Sequence, residues 1–175
     1  MRIVVLGGAG KMGCIAVQDL AGDPRVEQVV IADLDMAQAR RVVEVIGSPK
    51  VSIQPVDLAD HDRLVAVLRG ADACLNATVY YTNLAVMEAC IEAGTAYTDL
   101  GGLFHTTRRQ LELGGRFAAA GLSAVLGMGS APGVPNIQAR YGADRLDTVD
   151  TIRIYDGISP PPPDDLRFTY AVPPS

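Results

Sequence analysis

Gly8, Gly10 and Gly13 stand in the spacing G-x-G-x-x-G directly after the apolar run Ile3-Val4-Val5-Leu6. Asp33 closes the next apolar run, Val29 to Ala32, twenty residues beyond Gly13. Together these residue types can hold a pyrophosphate and a ribose. The first glycine permits a tight strand-to-helix turn, the second lets backbone approach the pyrophosphate, and the third lets helix and strand pack closely. A helix opening at Lys11 and Met12 offers unpaired N–H groups and a partial positive charge to the phosphates. An acid at the end of the second strand accepts hydrogen bonds from ribose hydroxyls. A 2′-phosphate there would meet like charge, and Leu34 and Asp35 follow in place of Arg or Lys. The set therefore reads as an NAD site, in preference to NADP. Asp35 can cap the next helix, which leaves Asp33 to the ribose.

The remaining strand ends supply further candidates. Asp57 and Leu58 fall where the adenine would lie. Asn76, Ala77 and Thr78 fall beside the nicotinamide ribose and the diphosphate. Cofactor contact is expected of them, although Asn and Thr also cap helices. Asp99 precedes Gly101 and Gly102, and two readings stand for it. It is a catalytic acid/base or holder of a substrate amine, or a structural carboxylate accepting N–H bonds from the two glycines. His105 is in the same loop, and His61 reads as a surface residue. Few cations are available to a substrate carboxylate: Lys11 in the glycine loop, and Arg108 and Arg109 on a helix.

These residues need a parallel sheet to bring them together. Short apolar runs at residues 3–6, 29–33, 51–53, 73–75, 95–100 and 122–126 read as strands. Helical patterns of ten to fifteen residues separate most of them. The helix over residues 106–120 is weakened by Gly114 and Gly115. This alternation predicts an α/β fold, a doubly wound parallel sheet with helices on both faces. Residues 1–147 form that domain. Thr148 to Tyr155 alternates like a half-solvated strand and leads into Pro160–Pro163, so residues 148–175 read as the start of a second unit.

Composition sets limits. The 175 residues are 49% hydrophobic, enough for one real core. The net charge is −5, with basic residues scattered, which argues against nucleic acid or an anionic membrane as partner. No run approaches a membrane span, and the N-terminal apolar stretch is broken by glycines and Lys11. Cys14, Cys74 and Cys90 have no metal spacing and read as reduced thiols of a cytoplasmic protein. The Tyr-x-x-x-Lys pair of short-chain reductases is absent, since Tyr141 is followed by Arg145.

Several segments carry a family likeness: Val5 to Gly13, Ala32-Asp33-Leu34-Asp35, Leu75-Asn76-Ala77, Ala89 to Gly94, Tyr97 to Gly102, and Ala131-Pro132-Gly133-Val134-Pro135-Asn136. With them, residues 7–157 resemble the saccharopine dehydrogenase-like superfamily and, within it, NAD-dependent L-lysine 6-dehydrogenases. The resemblance implies a Rossmann-type domain followed by a substrate and dimerisation domain. It also implies hydride transfer at the C–N bond of an amino acid such as L-lysine, and a homodimer in the full-length form. Asp99 would assist proton movement or hold the ammonium. Residues 148–175 are expected to be the beginning of the second domain, with the rest missing. The alternative is a stand-alone NAD-sensing module without catalysis.

Overall fold

The computed structural model describes residues 1–155 and 157. Its centre is a parallel sheet of six strands: β1 (Arg2–Leu6), β2 (Gln28–Asp33), β3 (Val51–Pro55), β4 (Ala73–Asn76), β5 (Ala96–Asp99) and β6 (Ala124–Val125). Their spatial order is β3-β2-β1-β4-β5-β6. Register is continuous across the centre, with Val4 opposite Val30 on one side and Cys74 on the other. The order reverses between β1 and β4, and ligands of such sheets bind outside the carboxyl ends at that point.

Strand alternation sorts the core into two layers. Val4, Leu6, Val30 and Ala32 face one way, against Leu64 and Leu68 of α3 (His61–Leu68), Val86 and Cys90 of α4 (Asn83–Ala93), and Phe117. Ile3, Val5, Val29 and Ile31 face the other, against Val17 of α1 (Lys11–Gly22) and Ala39 and Val42 of α2 (Met36–Ile46). Both faces are covered, so the strands read as apolar runs and not as alternation. Asp35 caps α2 by accepting from the Gln38 amide at 2.9 Å, and Asp60 caps α3 through the Arg63 amide at 3.0 Å.

The doubly wound fold agrees with the sequence, but three local expectations do not. The helix expected over 106–120 is two, α5 (Phe104–Glu112) and α6 (Gly114–Ala119), parted at Leu113. Two adjacent glycines add flexibility where the chain turns to bury Phe117. A helix α7 (Val134–Ala143) was not foreseen; it buries no residue and so lacks the core-facing stripe that betrays a helix in sequence. Residues 148–155 form no strand and are exposed throughout. Alternation yields a strand only where a partner completes the ladder. The proline run lies outside the described residues. No helix among the described residues is long and apolar enough to cross a membrane.

Candidate dinucleotide-binding site

The glycine loop connects β1 to α1, and each glycine serves a different contact. Gly7 makes the turn, with φ +70°. The sequence reading gave that task to Gly8; Gly8 is instead needed for packing, since a Cβ there would lie 3.0 Å from the Val5 carbonyl oxygen and 3.1 Å from Ile31 Cγ2. Gly13 is the tightest. A side chain on it would overlap the Gly7 carbonyl oxygen and lie 2.7 Å from Gly8 Cα. At Gly10 the only neighbour within 4 Å of an added Cβ, among the described residues, is the Gly7 carbonyl oxygen, at 3.2 Å. Gly10, Lys11 and Met12 are exposed.

The β2 end closes one flank of this loop. Asp33 Oδ2 accepts from the Ala9 amide at 3.0 Å, and Oδ1 accepts from the Asp35 amide at 3.1 Å. A carboxylate has about four acceptor directions, so two remain for ribose hydroxyls. Asp33, Leu34, Val56, Leu58, Gly7 and Thr78 line a small cleft beside the loop. Leu58 is thus brought to the cleft that borders the glycine loop. The Asp57 side chain turns back to its own loop, accepting from the Ala59 amide at 2.9 Å.

Asn76 and Thr78 form one unit at the end of β4. Asn76 is buried, and its Oδ1 accepts from Thr78 Oγ1 at 2.6 Å and from the Thr78 amide at 3.2 Å. The Asn76 side chain faces the interior, neither capping a helix nor reaching the crevice. Thr78 Cγ2 and the Ala77 carbonyl back the turn at Gly7, at 2.8 and 3.1 Å from an added Cβ. The Ala77 amide bonds the Leu6 carbonyl at 3.0 Å.

Asp99 is 1% exposed and holds five donors. Its Oδ1 accepts from the amides of Gly101 and Gly127, both at 2.8 Å. Its Oδ2 accepts from Gln110 Nε2 at 2.7 Å, Tyr97 OH at 2.9 Å and Asn83 Nδ2 at 3.3 Å. The second backbone donor is thus Gly127, not Gly102 as the sequence suggested. So engaged, the carboxylate offers nothing to the crevice. It joins the Asp99–Gly102 loop to the Gly127–Gly133 loop, where Pro132 also packs over Gly101 and Gly127. Burial, then the Asp99 charge, push the Tyr97 phenol far above its ordinary range. His105 and His61 are exposed, and His61 pairs with Glu92 at 3.0 Å. Cys74 and Cys90 are buried and free; their mutual hydrogen bond and burial push the Cys74 thiol up. No metal-holding cluster of His, Cys, Asp or Glu occurs among the described residues.

Asn83, Tyr97 and Gln110 were missed as members of the site. Gln110 lies on a helix whose neighbouring residues are mostly polar, and nothing in its spacing marks it as buried. Asn83 heads α4, a position at which a polar residue is ordinary.

A dinucleotide fits what is present. Among the described residues the space above Gly10 is open and no side chain caps the N-terminus of α1, and the Asp33 carboxylate flanks the loop with acceptor capacity to spare. A glycine loop and an acid at the switch point of a parallel sheet define an NAD(P)-binding α/β domain. Residues 3–125 match the family described as the saccharopine dehydrogenase NADP binding domain, and the chain belongs to that family. It is 30% identical over 149 residues to carboxyaminopropylagmatine dehydrogenase of Synechocystis sp., covering 81% of this chain and 37% of that protein. It is 26% identical over 181 residues to carboxynorspermidine synthase of Vibrio cholerae, covering 90% and 44%. The chain therefore spans less than half the length of these relatives. Apo saccharopine dehydrogenase (L-Glu forming) from Saccharomyces cerevisiae shares the fold, with TM-score 0.71 and 22% identity over 82% of this chain and 30% of that one.

Proposed function

We propose that this chain is the NAD-binding part of an oxidoreductase acting on the C–N bond of an amine that also carries a carboxyl group. The observation that carries the cofactor reading is the Gly7–Gly13 loop clasped to Asp33 through the Ala9 amide. The family description names NADP. NAD is favoured for this chain because Asp33 would face a 2′-phosphate with like charge, and the next two residues, Leu34 and Asp35, bring no cation. The glycine loop and α1 would hold the pyrophosphate, Asp33 the adenosine ribose, and Leu58 the adenine.

A bound nicotinamide would supply a two-electron hydride acceptor. The substrate carbon would give up hydride and its amine nitrogen a proton, leaving a C=N bond that water can open. L-lysine is the substrate suggested by the sequence likeness. The names of the two relatives, a carboxyaminopropylagmatine dehydrogenase and a carboxynorspermidine synthase, favour a carboxylated polyamine over free lysine. Calorimetric titration with NAD⁺ and NADP⁺ tests the cofactor reading. NAD⁺ should bind at least tenfold more tightly, and Asp33→Ala should erode that preference; equal affinities in the unaltered chain defeat it. A non-catalytic sensing module is the second reading, favoured by the engagement of both Asp99 oxygens. Amine-dependent NAD⁺ reduction by the full protein would reject it.

A further inference from the structure

Asn83 occupies the middle of a continuous hydrogen-bond chain that crosses the sheet's carboxyl end. At one end, Gly101 and Gly127 donate to Asp99 Oδ1. Asp99 Oδ2 accepts from Asn83 Nδ2 at 3.3 Å; Asn83 Oδ1 accepts from Asn76 Nδ2 at 3.0 Å. Asn76 Oδ1 then accepts both the hydroxyl and the amide of Thr78, whose methyl backs the turn at Gly7. Asn76, Asn83, Asp99 and Gln110 are each 1% exposed. The direction of every link is fixed by the ends. Asp99 can only accept when ionised, so Asn83 must donate to it and accept from Asn76, which then presents its oxygen to Thr78. Reversing any amide would set acceptor against acceptor.

We propose that Asn83 is a positioning residue for the dinucleotide: it sets Thr78, and through it the glycine loop, by the arrangement of the Asp99 strand end. This rests on the NAD-binding reading above. No side chain but an amide of this length satisfies both neighbours. Leucine shares the branching of asparagine, with somewhat bulkier methyl ends, but removes both links, leaving Asn76 Nδ2, among the described residues, with only Tyr97 OH, at 3.5 Å.

The test is calorimetric titration of NAD⁺ into the full chain and into Asn83→Leu, Thr78→Val, the double variant, and Val67→Ala. Val67 is buried in the same core layer but lies near the C-terminal end of α3, away from the crevice. Each variant is measured at a fixed interval below its own thermal midpoint. Asn83→Leu should weaken NAD⁺ about tenfold, within the range of coupling between contacting residues. Val67→Ala should stay within about twofold of the unaltered chain although it is also destabilised. Thr78→Val should cost less in the Asn83→Leu background than alone, because the link it breaks is already lost. Asn83→Leu binding as well as Val67→Ala does, or losses that simply add, would overturn the positioning role. Failure of the unaltered chain to bind NAD⁺ or NADP⁺ would instead overturn the cofactor reading on which it rests.

Discussion

Replacing Asp99 by alanine removes the acceptor of five hydrogen bonds at once. Two are to the amides of Gly101 and Gly127, and three are to the side chains of Tyr97, Asn83 and Gln110. A hydrogen bond to a charged group contributes about 1.5–3 kcal/mol net. Counting only the two backbone bonds, whose donors cannot rotate away, gives a floor of about 3 kcal/mol at the low end of that range. The side-chain donors can partly re-pair, so the ceiling is set at about 5 kcal/mol, the cost of breaking a buried charge from its partners. For a chain of this size each kcal/mol shifts the thermal midpoint by about 2–4 °C, so the expected fall is about 6–20 °C. Asp99→Asn should cost less, roughly 1–2 kcal/mol: its carbonyl can keep both backbone bonds in weaker, uncharged form. Its amide would then face the Asn83 amide, which cannot turn without abandoning Asn76. Urea unfolding followed by circular dichroism measures both. An Asp99→Ala chain within about 0.5 kcal/mol of the original would refute the structural role and return Asp99 to the candidates for proton transfer, since surface-like substitutions fall in that range.

Gly10→Val should abolish NAD⁺ binding and leave the circular dichroism spectrum unchanged, because among the described residues the added side chain meets almost no protein, and it would fill the space proposed for the pyrophosphate. Gly13→Ala should lose binding and also about 1–3 kcal/mol of stability, since its methyl overlaps backbone on the other side of the turn; wild-type stability in that variant would contradict the packing described. Tyr97 titrates higher in the folded chain than its ordinary value of 10.0, through burial and the Asp99 charge. The unfolded chain therefore releases this proton first, and stability should be intact below pH 10 and fall above it. Unfolding measured from pH 8 to 11 should show that decline, and Tyr97→Phe should lessen its slope.

The sequence by itself determined the sheet and the nucleotide end of the crevice. Buried parallel strands advertise themselves as short apolar runs, and the glycine loop is written in consecutive residues whose backbone needs are local. Asp33 was legible for the same reason, at a fixed distance from the loop along one β-α-β unit. Thr148–Tyr155 shows the limit of such patterns, because alternation specifies a face and not the partner that must pair with it. Asp99 shows a second limit. Its place at a strand end was readable, but whether a carboxylate there is open or enclosed depends on Asn83, Gln110 and Gly127, which lie 16, 11 and 28 residues away in sequence. No local periodicity encodes those meetings. Helix α5 and the β6–α7 loop had to fold over the end of β5 before four amide donors and a phenol could converge on two oxygens. Tertiary structure alone made that acid a joint between loops.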